Sequence, residues 1–205
     1  MYPVLLEELK KAERYIFMEY FIVEKGEMWD SILEILKEKA AAGVEVRFMY
    51  DGMCCLTLMP YGYPKQLEKY GIHCKMFSPV RPVLSSYQNN RDHRKITVID
   101  GHTAFTGGVN LADEYINRKV RFGHWKDTAI MLKGDAATGF LMMFLQMWNI
   151  TEHRTDDYAR YLYRPADSNP KEPDGTGFVM PYGDSPLDNE TVGQHVYMDI
   201  LNESR

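Results

Sequence analysis

The chain has 205 residues, a length that suits one full α/β domain, and its 45% hydrophobic and 26% charged residues are typical of a globular protein. The formal net charge of −5 excludes a chain whose whole surface binds nucleic acid. The most apolar run, 140–148, is far shorter than the ~20 residues of a membrane-spanning helix, so the chain as given is expected to be soluble.

The first part of the chain alternates two hydrophobic patterns. Helical spacing and strand-like runs predict, in chain order, a helix at 3–13, a strand at 15–23, a helix at 28–42, a strand at 44–50, a helix at 64–70 and a strand at 72–77. This order of elements predicts an α/β fold with a largely parallel sheet and helices on its faces.

The next part predicts a hairpin and a further strand and helix. The pair Asp100-Gly101 separates two alternating runs, which favours a type I′ turn. The predicted elements are strands at 93–99 and 102–106, a helix near 111–118, a strand at 125–132 and a helix at 135–149.

The last part of the chain predicts an incomplete repeat. Residues 151–175 are acidic and rich in Pro and Asp, as in a linker, and a short strand at 178–180 and a helix at 189–205 follow. The last helix ends L-N-E-S-R, much as the first ends K-K-A-E-R. We therefore expect a first lobe at 1–150, a linker or surface connection at 151–175, and the start of a truncated second lobe at 176–205.

The motif H-R-K-I-T-V-I-D-G-H-T-A-F-T-G-G-V-N at 93–110 carries the chemistry. It lies in the basic stretch 91–126, which has seven basic and four acidic residues, whereas 152–190 has four basic and nine acidic residues. A basic stretch around a motif suits an anionic ligand, although a solvated charged surface gives the same composition.

The residue types in this motif fit chemistry on a phosphodiester. On a strand, His93 and Lys95 project to the same face, where a neutral imidazole can attack phosphorus and an ammonium can neutralise phosphate oxygens. Gly107 and Gly108 allow the backbone to approach a phosphate, and the amide of Asn110 can donate to it. No metal or other cofactor is expected from this set of residues.

Two carboxylates are further candidates for the catalytic set. Asp100 completes the H-x-K-x-x-x-x-D spacing, but its place in the turn favours a structural role over a catalytic one. A nucleophilic histidine needs a partner on its second ring nitrogen, and Asp127 is the candidate for that partner. An ordinary strand carboxylate on the surface is an equally good interpretation of Asp127.

These motifs resemble the phospholipase D superfamily, and bacterial cardiolipin synthases in particular. The resemblance rests on the motif at 93–110, the G-G-x-N-x-x-D-E-Y run at 107–115 and W-K-D-T at 125–128. It extends to M-E-Y-F-I at 18–22 and G-V-E-V-R-F-M-Y-D-G at 43–52, so it covers nearly the whole chain.

The resemblance implies a two-lobed α/β/α enzyme with a central mixed, largely parallel sheet and one motif in each lobe, in which one histidine is the nucleophile and the other protonates the leaving alcohol. Two phosphatidylglycerols would give cardiolipin and glycerol through a phosphohistidine. By the same resemblance, His93 would be a catalytic histidine, Lys95 and Asn110 would bind phosphate, and Asp127 would orient the histidine.

The chain departs from the family pattern, because it has no second motif and no membrane helices before Met1. We therefore expect a fragment with half an active site, nearly inactive alone, from a parent at the cytoplasmic face of the cell membrane. Its expected partners are phosphatidylglycerol, the missing second lobe or a second copy paired through the motif face, and not nucleic acid. A homodimeric phosphodiesterase or nuclease and a non-catalytic binding domain are the alternatives.

Overall fold

The structure, a computed structural model, describes residues 1–80, 90–152, 155–163, 178–184 and 189–204. The chain divides into two compact units, Met1–Tyr163 and Arg164–Arg205. No helix in these described ranges is both long enough and apolar enough to span a bilayer.

The first unit is an α/β fold, as predicted. Its helices are α1 (Tyr2–Lys10), α2 (Glu27–Ala41), α3 (Tyr63–Glu68) and α4 (Ala136–Asn149). Its strands are β1 (Tyr15–Tyr20), β2 (Glu45–Asp51), β3 (Ile72–Phe77), β4 (Lys95–Ile99), β5 (Thr103–Gly107) and β6 (Ala129–Lys133). They form one sheet in the order β3-β2-β1-β4-β5-β6.

The central sheet is mixed, as predicted, but it is parallel over only part of its width. Strands β1, β2 and β3 are parallel, whereas the β1–β4, β4–β5 and β5–β6 pairs are antiparallel. Helical crossovers keep the first three strands parallel. After β3, strand β4 pairs with the free edge of β1 and runs antiparallel to it. The connections that follow β4 and β5 each reverse the chain direction again, so β5 and β6 are antiparallel to their neighbours. The prediction of a mixed sheet is therefore confirmed, whereas its largely parallel character holds only for β1, β2 and β3.

Helices cover both faces of the sheet and bury two separate cores. Helices α1, α2 and α3 pack on one face, where Trp29 stacks on Phe48 with ring centroids 4.6 Å apart. Helix α4 packs on the other face, where Phe144 stacks on Phe17 at 5.0 Å. All six residues of β1 are buried, because its alternating side chains enter both cores.

The hairpin between β4 and β5 has the predicted turn. Asp100 and Gly101 both have positive φ, 53° and 72°, as a type I′ turn requires. The backbone N–H of His102 donates to the carbonyl of Ile99 at 3.1 Å and closes the turn.

Three predicted elements are shorter than expected. Strand β4 begins at Lys95, not at 93, and β6 begins at Ala129, not at 125. The helix expected near 111–118 is a single 3₁₀ turn, Asp113–Ile116, which ends where Asn117 takes a positive φ of 58°. His93 and Asp127 therefore lie in loops next to the strands.

The first unit continues beyond the predicted boundary at 150. The hydroxyl of Tyr15 donates to the carbonyl of Tyr161, which is itself buried against the α4 face of the sheet. Residues 155–163 thus belong to the first unit, while 164–177 lie outside the described residues, so the linker or surface connection expected at 151–175 stays a prediction.

The second unit is described over 178–184 and 189–204. Its helix α5 (Val192–Glu203) lies within the predicted helix at 189–205, whereas 178–180, predicted as a strand, has no strand geometry. That this unit begins a second lobe stays a prediction.

Candidate active site

The candidate site lies at the carboxyl ends of β1 and β2. Strand β4 runs antiparallel to β1, with Lys95 opposite Tyr20, so the amino end of β4 reaches the same edge. His93 precedes β4, and its ring lies 4.7 Å from the ring of Phe21, the residue that follows β1. This edge is where α/β sheets commonly bind ligands.

His93 and Lys95 come together as predicted. Lys95 Nζ lies 3.1 Å from His93 Nδ1 and also donates to the His93 carbonyl. Partial desolvation of the exposed imidazole, and then the nearby charge of Lys95, lower the pKa of His93 below its usual value. The imidazole is therefore neutral at physiological pH, the form that a nucleophile requires.

Lys95 is a buried cation with an unusual environment. The residue is only 6% exposed, and within the described part of the chain no carboxylate lies within ion-pairing distance of its ammonium. Burial lowers the pKa of Lys95 to about 8, against the opposing charges of Asp92 and Asp127. Such a cation is suited to bind an anion.

The two glycines have a structural role that sequence reasoning did not predict. A Cβ on Gly107 would lie 2.3 Å from the carbonyl oxygen of Thr128, and one on Gly108 would lie 2.1 Å from the carboxylate of Asp127. The N–H of Gly108 donates to Thr128 at 3.0 Å. Small residues are thus needed here so that 127–129 can approach the end of β5.

Asn110 is buried and already hydrogen-bonded. Its Oδ1 accepts from the N–H of Ile22 at 3.0 Å, and its Nδ2 donates to the hydroxyl of Tyr115 at 2.8 Å. Asn110 thus fixes the segment that carries Phe21 against the glycine turn. One of its two amide hydrogens is committed to Tyr115.

Asp127 lies near the site, but the predicted contact between Asp127 and His93 is not formed. Its oxygens accept from Trp125 Nε1 at 3.2 Å and from the N–H of Thr128 at 2.7 Å. The Nδ1 atom of His93 faces Lys95 instead. The structure therefore brings Asp127 close enough to influence the pKa of Lys95, without the hydrogen bond expected to the imidazole.

Asp100 is not part of the site, which corrects its inclusion among the catalytic candidates. It lies at the opposite end of β4 from His93, in the hairpin turn. Its carboxylate accepts three backbone N–H groups, those of Glu13, Arg14 and Tyr15, each at 2.8 Å. Asp100 therefore joins the hairpin to the start of β1.

With this geometry established, comparisons with known proteins identify the family. Residues 5–148 match the family described as cardiolipin synthase, phospholipase D-like domain. The chain belongs to this phospholipase D-like family. A cardiolipin synthase of Alkalihalophilus pseudofirmus is 36% identical over 205 residues, and an uncharacterized protein of Streptococcus mutans is 54% identical over 199 residues.

The phospholipase D-like chain spans about two fifths of the length of these relatives. The matches cover 100% and 97% of this chain but only 40% and 42% of the two relatives.

Solved structures show the same fold. A phospholipase D family member of Salmonella typhimurium, Nuc, aligns with a TM-score of 0.54 and 17% identity, covering 72% of this chain and 86% of Nuc. The phosphatidylserine synthase of Haemophilus influenzae aligns with a TM-score of 0.55 and 16% identity, covering 78% of this chain and 38% of the synthase.

A buried carboxylate positions the backbone of this phospholipase D-like site. Asp51, fully buried at the end of β2, accepts from the N–H of Asp92 at 2.9 Å and from Arg91 Nη1 at 3.3 Å. Asp92 directly precedes His93, so Asp51 fixes the approach to the nucleophile candidate. A carboxylate after a predicted parallel strand was the sequence signal that could have identified it.

A second buried carboxylate lies beside the first. Glu19 is fully buried, and its carboxylate lies 2.7 Å from Arg94 Nε, which also lies 3.3 Å from Asp92. Burial, and then the charge of Asp92, raise the pKa of Glu19 well above its usual value. Asp92 and Arg94, the two neighbours of His93, thus contact Asp51 of β2 and Glu19 of β1 respectively.

A groove opens beside Asp127. Its volume is about 630 Å³, within the range of small-molecule sites. It lies between the start of α1 and the segment before β6, and its lining is mainly apolar and aromatic. The residues that line it include Tyr2, Val109, Tyr115, Trp125, Lys126 and Asp127.

Proposed function

We propose that this chain supplies one half of the active site of a phosphatidyltransferase of the cardiolipin synthase type. In the proposed reaction, two phosphatidylglycerol molecules give cardiolipin and glycerol. The family assignment and the full coverage of this chain by a cardiolipin synthase relative support the choice of phospholipid as substrate.

The observation that carries the proposal is the buried Lys95 ammonium beside an accessible, neutral His93. A phosphodiester brings the anion that such a cation lacks among the described residues. When Lys95 moves its hydrogen bonds to phosphate oxygens, Nδ1 of His93 is freed, and we assign Asp127 as the group that then orients the ring. We assign the second hydrogen of Asn110 Nδ2, and the backbone of the Gly107-Gly108 turn, to the same phosphate.

The proposed chemistry has two steps. The His93 lone pair attacks phosphorus, and the bond from phosphorus to the glycerol oxygen breaks, which gives a phosphatidyl-histidine and glycerol. A general acid provides the proton for the leaving glycerol. We assign it to a histidine in the remainder of a longer parent or in a second copy of this chain.

In the second step, a hydroxyl of another phosphatidylglycerol attacks the same phosphorus. The bond to His93 breaks, the imidazole recovers its lone pair, and the hydroxyl proton returns to the general acid–base group. Lys95 neutralises the negative charge that grows on the phosphate oxygens in both steps.

The test is cardiolipin formation by the full-length parent from phosphatidylglycerol vesicles. We expect His93→Ala to abolish turnover, and His102→Ala, at the opposite end of β4, to leave it within a factor of about three. Cardiolipin formation at the wild-type rate by the His93→Ala parent would contradict the proposal.

A further inference from the structure

The loop 118–124, between the 3₁₀ turn and β6, has a closed and well-defined base. The Asn117 side chain donates to the Trp125 carbonyl at 2.9 Å and accepts from the Trp125 N–H at 2.7 Å. Both backbone groups of Trp125 are thus held by one side chain. The loop is therefore tied at its base, and its orientation is defined.

In this loop the charged side chains contact the protein and the apolar side chains face the solvent, which is the opposite of what is expected for a loop in water. Three of its cations turn back to carboxylates of the protein: Arg118 to Glu27 at 3.0 Å, Lys119 to Glu24 at 2.6 Å and Arg121 to Glu114 at 3.0 Å.

Val120 lies between Lys119 and Arg121, and Phe122 follows Arg121; both apolar side chains are exposed instead. Val120 is 82% exposed and Phe122 is 77% exposed, although both side chains gain free energy when they leave water. Exposed apolar side chains that lie close together are a feature of interaction surfaces.

The surroundings of the loop favour a lipid surface as the partner. The stretch 115–126 contains no acidic residue, and within the described ranges Lys126 makes no ion pair. The half-exposed Trp125 ring lies 6.4 Å from that of Phe122. Apolar tips with an indole and cations behind them match the boundary between acyl chains and anionic headgroups.

The loop is also continuous with the candidate site. Trp125 Nε1 donates to Asp127, and Trp125 packs against Tyr115 with ring centroids 4.8 Å apart. A membrane touched by Phe122 would therefore lie at the same rim as Asp127.

We propose that loop 118–124 inserts Val120 and Phe122 into an anionic phospholipid surface and so places the candidate site next to the membrane. The choice of a lipid surface rests on the proposed function, because a phosphatidyltransferase must reach headgroups in a bilayer. The surface ion pairs of Arg118 and Lys119 are weak enough to exchange with lipid phosphates.

The test is co-sedimentation of this chain with phosphatidylcholine vesicles that contain phosphatidylglycerol. We expect Val120→Ser/Phe122→Ser to weaken binding by about tenfold or more. The control Tyr70→Ser/Ile150→Ser removes two exposed apolar side chains elsewhere, 50% and 49% exposed, and should bind like wild type. Brominated acyl chains should quench Trp125 in wild type and in His93→Ala.

Three results would overturn the inference. The first is a wild-type chain that does not sediment with the vesicles, and the second is a loop variant that binds as well as wild type. Alternatively, sedimentation velocity without lipid could show that the loop variant loses self-association, which would assign the loop to a second copy of the chain. Vesicle binding is measured without turnover, so the two proposals can fail separately. If the parent forms no cardiolipin but vesicle binding still depends on the loop, the proposed function is rejected and the inference about the loop stands.

Discussion

At the scale of single residues, the molecule retains an unfavourable cation. Lys95 is buried, and its described side-chain partners are the neutral imidazole of His93 and the ring of Phe21, with no carboxylate in ion-pairing distance among the described residues. A hydrophobic residue of similar size would fill the same space without a desolvation cost. A buried charge of this kind is expected where function requires it, because active sites are places where pKa values are shifted.

Lys95→Met should therefore stabilise the chain at pH 7, by about 2 kcal/mol in the free energy of unfolding. The pKa of Lys95 is lowered from 10.5 to about 8 in the folded state, so the unfolded state binds more protons between these values. The penalty is complete below pH 8 and disappears as the pH rises towards 10.5. The stability difference between Lys95→Met and wild type should shrink over that range.

Urea denaturation at several pH values measures this difference. Lys65→Met, at an exposed position of α3, is the matched control and should change stability by less than ~0.5 kcal/mol at every pH. If Lys95→Met destabilises the chain at pH 7 as strongly as at pH 10.5, the ammonium is better solvated than its burial indicates.

At the scale of elements, the sequence predicts the strands and helices well because their hydrophobic periods are long. It predicts the ends less well, because hydrogen bonds to residues distant in sequence determine them. Strand β4 begins two residues later than expected, where Asp51 holds the N–H of Asp92. The pairing of His93 with Lys95 followed from local spacing, whereas the contacts of Asp127 depend on how 127–129 pack on the glycine turn.

The hairpin gives an element-scale prediction. Asp100→Ala should lower the free energy of unfolding by about 2–4 kcal/mol, because three backbone N–H groups lose their acceptor and Ala disfavours the positive φ. Asp100→Asn keeps one acceptor oxygen and should lose less. Thermal unfolding of this chain measures both.

Cardiolipin formation by the proposed full-length parent tests the same assignment for activity. Below the unfolding temperature, kcat of the Asp100→Asn parent should stay within a few-fold of wild type. The control Asp135→Ala, at a helix start without a capping hydrogen bond, should change stability by less than ~1 kcal/mol. A stably folded but inactive Asp100→Asn parent would return Asp100 to the catalytic set.

At the scale of the whole molecule, the chain contains one motif and about two fifths of the length of its relatives. The first unit is a complete α/β/α layer structure that presents His93 and Lys95 at one edge. The sequence established the family and the fold class from its motifs. The antiparallel pairing of β4 with β5 followed from the Asp100-Gly101 turn, whereas the antiparallel pairing of β4 with β1 was not predictable from local patterns, because it depends on where β4 enters the sheet.

The most direct measurement of the central claim is a trapping experiment on the proposed full-length parent. The reaction with phosphatidylglycerol labelled at phosphorus is quenched during turnover, and the labelled peptide is identified by mass spectrometry. The account predicts an acid-labile, alkali-stable phosphoryl adduct on His93 that is absent from His93→Ala. A covalent adduct on any other residue of this chain, with His93 unmodified during turnover, would contradict it.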